Sequence, residues 1–330
     1  MVAKTPSLGV PRSLVGAAAG YRVLMRSWRS AARMAFGVLA VALLVVTVVR
    51  QRAALTAAVQ QLSVVALVIS ALLAVAGLVA QMLSWRALFA GETSVMPSLR
   101  ASAQIYYIGQ LGKYVPGSIW AVVAQSELGL SHRITRSRSV VVALGALAVL
   151  VVTGTGVAAT FLSTTSPGSL RSYWWALPAL PVGICLLTPP VFNWLIRFAL
   201  RVTHRDETTD GIGARSLAVS SMWALVMWGL FGAHIWVLAG ELGGRSSHVA
   251  LVCVGAFALA WVAGLLVVVA PAGAGAREAA LVLTLGSVLD RPDALVLALV
   301  SRILMVVGDA VLAGAAAPDL LLGRRLTSRE

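Results

Sequence analysis

The chain has 330 residues, 59% of them apolar and 12% charged, with a mean hydropathy of +0.90. A soluble domain carries about 25% charged residues, so this composition excludes a soluble protein and predicts an all-α, polytopic membrane bundle whose helices satisfy their own backbone groups in lipid. The formal net charge is +14, but the basic residues cluster at the ends of apolar runs, which favours anionic lipid headgroups over nucleic acid as the partner.

Residues 1–33 contain Lys4, Arg12, Arg22, Arg26, Arg29 and Arg33 and no acid, which predicts a basic cytoplasmic N-terminal segment. The run 34–49 follows. Its long leader and the lack of a small-residue cleavage pattern predict a retained first span, not a signal peptide. Further apolar runs at 62–83, 138–162, 173–196, 217–240, 249–270 and 293–317 are long enough to span or nearly so. Thr188, Pro189 and Pro190 predict a break in the fourth run, since proline removes a helical hydrogen bond. Trp28, Trp85, Trp174, Trp175 and Trp236 flank the runs and are expected in interfacial belts. Residues 34–317 thus form one transmembrane domain, and 318–330 a tail with Arg324, Arg325 and Arg329.

The segment 84–138 holds six basic and two acidic residues, and 197–216 holds four basic residues; both read as cytoplasmic, as does the tail. Seven simple crossings would leave the tail outside. The stretch Arg277 to Leu289 is therefore expected to return through part of the membrane, giving about seven or eight segments, two of them re-entrant or broken, with both termini inside a cell (plasma or inner) membrane.

A charge at the bilayer centre costs about 2.5–3.5 kcal/mol on insertion scales, several times what one aliphatic residue returns. Lys113, Glu127, Arg277, Glu278, Arg302 and Asp309 lie in or beside apolar stretches and are expected to pair or to line a hydrated cavity. Arg302 and Asp309 are seven residues apart, so they share a helix face; snorkelling of Arg302 to the interface is the alternative.

Residues 109–120 break a helix with Gly109, Gly112, Pro116 and Gly117, and Ser118 could cap the next one. A freed helix start beside Lys113 can hold a phosphate, although Tyr107 and Tyr114 stand where a Walker A loop needs Gly and Ser or Thr. An interfacial hairpin touching headgroups is the plainer reading. Pro271 to Glu278 repeats the plan, a glycine-rich turn and then a charged helix start, and two such breaks point to a transporter's binding site. An ordinary loop with an adjacent ion pair fits it as well. The cysteines Cys185 and Cys253 and the four histidines lack metal-ligand spacing, and no metal or other cofactor is expected.

Gly112-Lys113-Tyr114-Val115-Pro116-Gly117 followed by Trp120 is similar to the GKY-hydrophobic-PG-x-x-W pattern of the lysylphosphatidylglycerol synthase transmembrane-region family. This is the flippase-like domain of the multiple peptide resistance factor type, found alone or ahead of an aminoacyl-lipid synthase domain. Pro271, Gly273, Gly275, Arg277 and Glu278 resemble its P-x-G-x-G-x-R-E pattern, and Ser301-Arg302 with Asp309 resembles the arginine and acidic positions of its last helix. The resemblance implies a helical bundle with re-entrant segments and a substrate site of Lys113, Arg277, Glu278, Arg302 and Asp309. It also implies a role in moving lipid between leaflets, without lysylphosphatidylglycerol synthesis, since no synthase-like region precedes Glu330.

The expected function is a flippase or scramblase-like transporter for an anionic phospholipid or a polyprenyl-phosphate-linked sugar. An intramembrane enzyme acting on a lipid-linked substrate is one alternative. A membrane partner that recruits a glycosyltransferase or synthase is another, and assembly as a homo-oligomer is compatible with all three.

Overall fold

The computed structural model describes residues 46, 62–90, 96–115, 119–163, 178–202, 211–267 and 271–317. The expected first span at 34–49, apart from Val46, lies outside them, as do Trp28, Trp174, Trp175 and the tail. Among the described residues, five helices are long and apolar enough to cross a membrane: α1 (Val64–Ala87), α4 (Arg136–Ser163), α7 (Ala214–Glu241), α8 (Ser247–Leu266) and α10 (Arg291–Ala316). Shorter helices fill the gaps between them: α2 (Leu99–Gln110), α3 (Trp120–Leu130), α5 (Ala179–Leu186), α6 (Pro189–Val202) and α9 (Ala276–Leu285). The described residues contain no strand, and the protein is an all-α polytopic membrane bundle.

Local chemistry sets the helix starts. The Ser63, Ser98 and Ser246 hydroxyls accept from Ala66 N, Ala101 N and Val249 N at 3.1, 3.2 and 3.3 Å, capping α1, α2 and α8. The expected break in the fourth run falls between α5 and α6, where Pro189 opens the second helix. At the C-terminal end of α1, buried Arg138 donates from Nη2 to the carbonyls of Leu88 (3.2 Å) and Phe89 (3.4 Å), placing a cation where the helix dipole is negative.

Small residues let the long helices approach. A Cβ on Gly77 would collide with the Phe231 ring, on Gly232 with Val254, and on Gly154 with the Trp228 ring, so α1, α7, α8 and α4 interlock where glycine admits a larger side chain. Trp228 also donates from Nε1 to Thr153 Oγ1 at 3.0 Å, meeting its one polar requirement inside the bundle.

Contacts at the helix ends fix the direction of travel. Ser216 at the start of α7 donates to Ala90 O beyond the end of α1, and Ser63 N at the start of α1 donates to Glu241 at the end of α7 at 3.2 Å. α1 and α7 are therefore antiparallel, and Ala90 and Ser216, which belong to the basic segments 84–138 and 197–216, meet at one end of the bundle. Gly308 lies against Leu78 and Asp309 bonds Lys113, so α10 finishes at that same end. α8 finishes there as well, and Pro271 to Leu289 carries the chain back across through the ten-residue α9, which gives the expected return a physical form.

One aromatic departs from the belt pattern. Trp85 is 1% exposed, its ring 4.8 Å from Phe89 and 5.4 Å from Tyr106. It packs inward, covered by Phe89 just beyond α1 and by Tyr106 of α2. Trp236, by contrast, stays on the outer surface at 37% exposure.

Candidate functional site

Two broken segments converge on α10. After α2, a 3-10 turn at Leu111–Tyr114 carries Lys113 and Tyr114. Gly112 inside it is buried, and a Cβ there would lie 2.6 Å from Ala121 N, so only glycine lets the turn seat against the start of α3. Lys113 Nζ lies 2.6 Å from Asp309 Oδ2, and Tyr114 Oη donates to the same oxygen at 2.7 Å. Pro116, Gly117 and Ser118 lie outside the described residues.

The second segment is a 3-10 turn at Pro271–Gly273 followed by α9. Gly273 has φ +69° and sits so close to α8 that a Cβ would lie 2.6 Å from Gly264 Cα; a positive φ and a backbone contact both demand glycine. Gly275, at φ +85°, precedes α9, and its N–H donates to Glu278 Oε2 at 2.6 Å, the carboxylate half of a capping box. The other oxygen of Glu278 pairs with Arg302 Nη1 on α10. Both side chains of that pair are largely buried, at 12% and 7% exposure, so Arg302 does not snorkel to the interface.

Arg277 is arranged differently. Its guanidinium lies 4.6 Å from the centre of the Phe257 ring on α8, a cation–π contact, and its Nη2 is buried with no hydrogen-bond partner among the described residues. A cavity of about 270 Å³ opens beside it, lined by Lys113, Tyr114, Gly273, Arg277, Arg302 and Asp309 together with apolar Leu144, Leu147, Leu150 and Leu265. Three cations and one carboxylate therefore share the cavity wall. Glu278 backs Arg302 from behind it, leaving Arg277 as the surplus positive charge.

A match to the family model for the lysylphosphatidylglycerol synthase TM region covers residues 34–313. The chain belongs to this family. Membership agrees with the five apolar helices in making it a multi-pass membrane protein. No curated relative matches the chain.

Most of the residues singled out in the sequence gather here, but not all in one role. Gly112, Gly273 and Gly275 shape backbone, and Pro271 opens the second turn. Trp120 is 39% exposed at the start of α3 and does not line the cavity. Glu127 pairs with Arg136 at 2.9 Å on the bundle's exterior. Gln81, Tyr106, Gln110 and Gln125, which belong to no motif, also line the cavity. A glutamine inside an apolar span is expensive in lipid, and Gln81 in α1 carried that signal.

Proposed function

We propose that the chain moves an anionic lipid between leaflets, holding the headgroup phosphate among Lys113, Arg277 and Arg302 while the hydrocarbon tail stays against apolar wall or lipid. The carrying observation is the buried, unpartnered Nη2 of Arg277 beside a cavity whose wall is part cationic and part aliphatic. A buried guanidinium N–H without an acceptor is costly, and a phosphate would satisfy it with charge-assisted bonds. The end where the two basic segments meet faces the cytoplasm of a plasma or inner membrane in this scheme.

Lys113 can keep Asp309 while it holds a phosphate, since its ammonium offers three N–H donors. In vesicles carrying the purified full chain, a labelled anionic lipid should become accessible from the far side. Lys113→Ala and Arg277→Ala should each lower that rate at least tenfold, and wild-type rates in both would overturn the proposal.

A further inference from the structure

The proposed headgroup site says where a phosphate goes; the rest of the cavity wall says what that phosphate is attached to. Beyond its cations the cavity presents neutral polar groups from three other helices: Gln81 and Trp85 of α1, Tyr106 and Gln110 of α2, and Gln125 of α3. Each helix pair is spaced i, i+4 and so occupies one face. Tyr106 and Gln110 are already joined, Nε2 donating to the phenol oxygen at 2.8 Å. Gln125 and Trp85 are not so provided for. Gln125 is 4% exposed and its Oε1 has no hydrogen-bond partner among the described residues, and Trp85 Nε1 is in the same condition.

Buried polar atoms in native proteins are nearly always satisfied. An acceptor and a donor left unpaired on residues that line the cavity therefore point to a ligand able both to donate and to accept. Amide and indole groups beside aromatic rings suit hydroxyls. Ionic complementarity narrows the choice further. Asp309 is held by Lys113 and Tyr114, and Glu278 by Arg302 and Gly275 N. Neither carboxylate is open to a headgroup amine, and Arg277 is the one cation in surplus, which matches a single negative charge.

We infer that the cavity selects a lipid whose headgroup joins one phosphodiester to an uncharged polyhydroxyl group, and that it discriminates against aminoacylated headgroups. This rests on the lipid-transport reading above and deepens it. A glycerolipid bearing a polyol and a polyprenyl-linked sugar phosphate share this chemistry, and separate probes distinguish them.

The test is competitive lipid binding to the purified full chain in detergent. Native mass spectrometry would compare phosphatidylinositol, a polyprenyl-phosphate hexose, phosphatidic acid and lysylphosphatidylglycerol. The polyol-bearing probes, one or both, should bind at least tenfold more tightly than phosphatidic acid or lysylphosphatidylglycerol; whichever does so identifies the source. Gln125→Leu and Gln81→Met should each shrink that preference to below threefold, with thermal melting as the check on the fold of each variant. Equal binding of all four lipids, or preference for lysylphosphatidylglycerol, by the wild-type chain overturns this inference alone and decides the matter even if a variant does not fold. Binding of none of them overturns the anionic-lipid reading and this inference with it.

Discussion

Lys113 and Asp309 belong to opposite halves of the chain, yet Nζ and Oδ2 lie 2.6 Å apart and close the first broken segment onto the last membrane helix. The pair is asymmetric: the lysine side chain is 30% exposed and the aspartate 4%. Removing the lysine therefore costs more than removing the charge of its partner. Lys113→Ala strands a buried carboxylate and should destabilise the protein by about 1–3 kcal/mol, below the full penalty for a wholly buried pair because water reaches one side. Adding Asp309→Asn should restore most of the thermal stability while leaving lipid transport low. Melting temperatures of the two variants in detergent check this, and a double variant no more stable than Lys113→Ala would refute the stranded-charge account.

The second ion pair should behave differently because Glu278 has two roles, bonding Gly275 N with one oxygen and Arg302 with the other. Glu278→Gln keeps an acceptor for the cap but loses the charge that balances Arg302. Glu278→Ala loses both. The alanine variant should fall by about 3–5 kcal/mol, as for breaking a buried pair, and the glutamine variant by less, the difference being about the 0.5–2 kcal/mol of a helix cap. Denaturation of the purified variants under one set of conditions measures the order.

The extent to which this arrangement was legible in the sequence follows from what each residue reports. Charges within apolar stretches declared themselves through cost alone, and Arg302 and Asp309 shared a face by helical period. Proline and glycine marked the breaks at Pro189, Gly112 and Gly273, since backbone geometry is a local property. The pairing of Lys113 with Asp309 and of Glu278 with Arg302 was not readable, because it depends on which helices become neighbours. Trp85 departs from expectation for a related reason: a tryptophan at a span's end looks interfacial until rings such as Phe89 and Tyr106 close over it. Gln125, Tyr106 and His234 are ordinary in composition and gain meaning only from the cavity or helix they face.

The two positive-φ glycines of the second turn should respond unequally to alanine. At Gly275 a Cβ would meet nothing within 4 Å, so Gly275→Ala bears only the conformational strain of φ +85°, about 1–2 kcal/mol. At Gly273 the same strain adds to a Cβ 2.6 Å from Gly264 Cα and 2.7 Å from its carbonyl oxygen, neither of which can rotate away. Gly273→Ala should therefore be the more destabilising and should also displace Arg277, lowering lipid binding. Thermal melts paired with lipid-retention measurements on both variants would show the difference, and equal effects would mean that α8 yields at Gly264.

His234 ties three membrane helices together away from the cavity. Fully buried on α7, it meets the Ser70 hydroxyl of α1 through Nδ1 at 2.6 Å and the Ser301 hydroxyl of α10 through Nε2 at 3.0 Å. Ser70 has a second bond, to His234 O at 3.0 Å, and keeps it when the ring is removed. Ser301 has no such reserve from the ring's side. His234→Leu should thus cost about 1–3 kcal/mol, mainly by orphaning a buried hydroxyl. His234→Leu with Ser301→Ala should recover part of that loss, because deleting both partners removes the unsatisfied group. Lipid retention should be unchanged in both, since His234 does not line the cavity. A double variant less stable than the single one would show instead that Ser301 finds another acceptor on α10 and that the ring's packing against Phe257, 6.3 Å away, carries the stability.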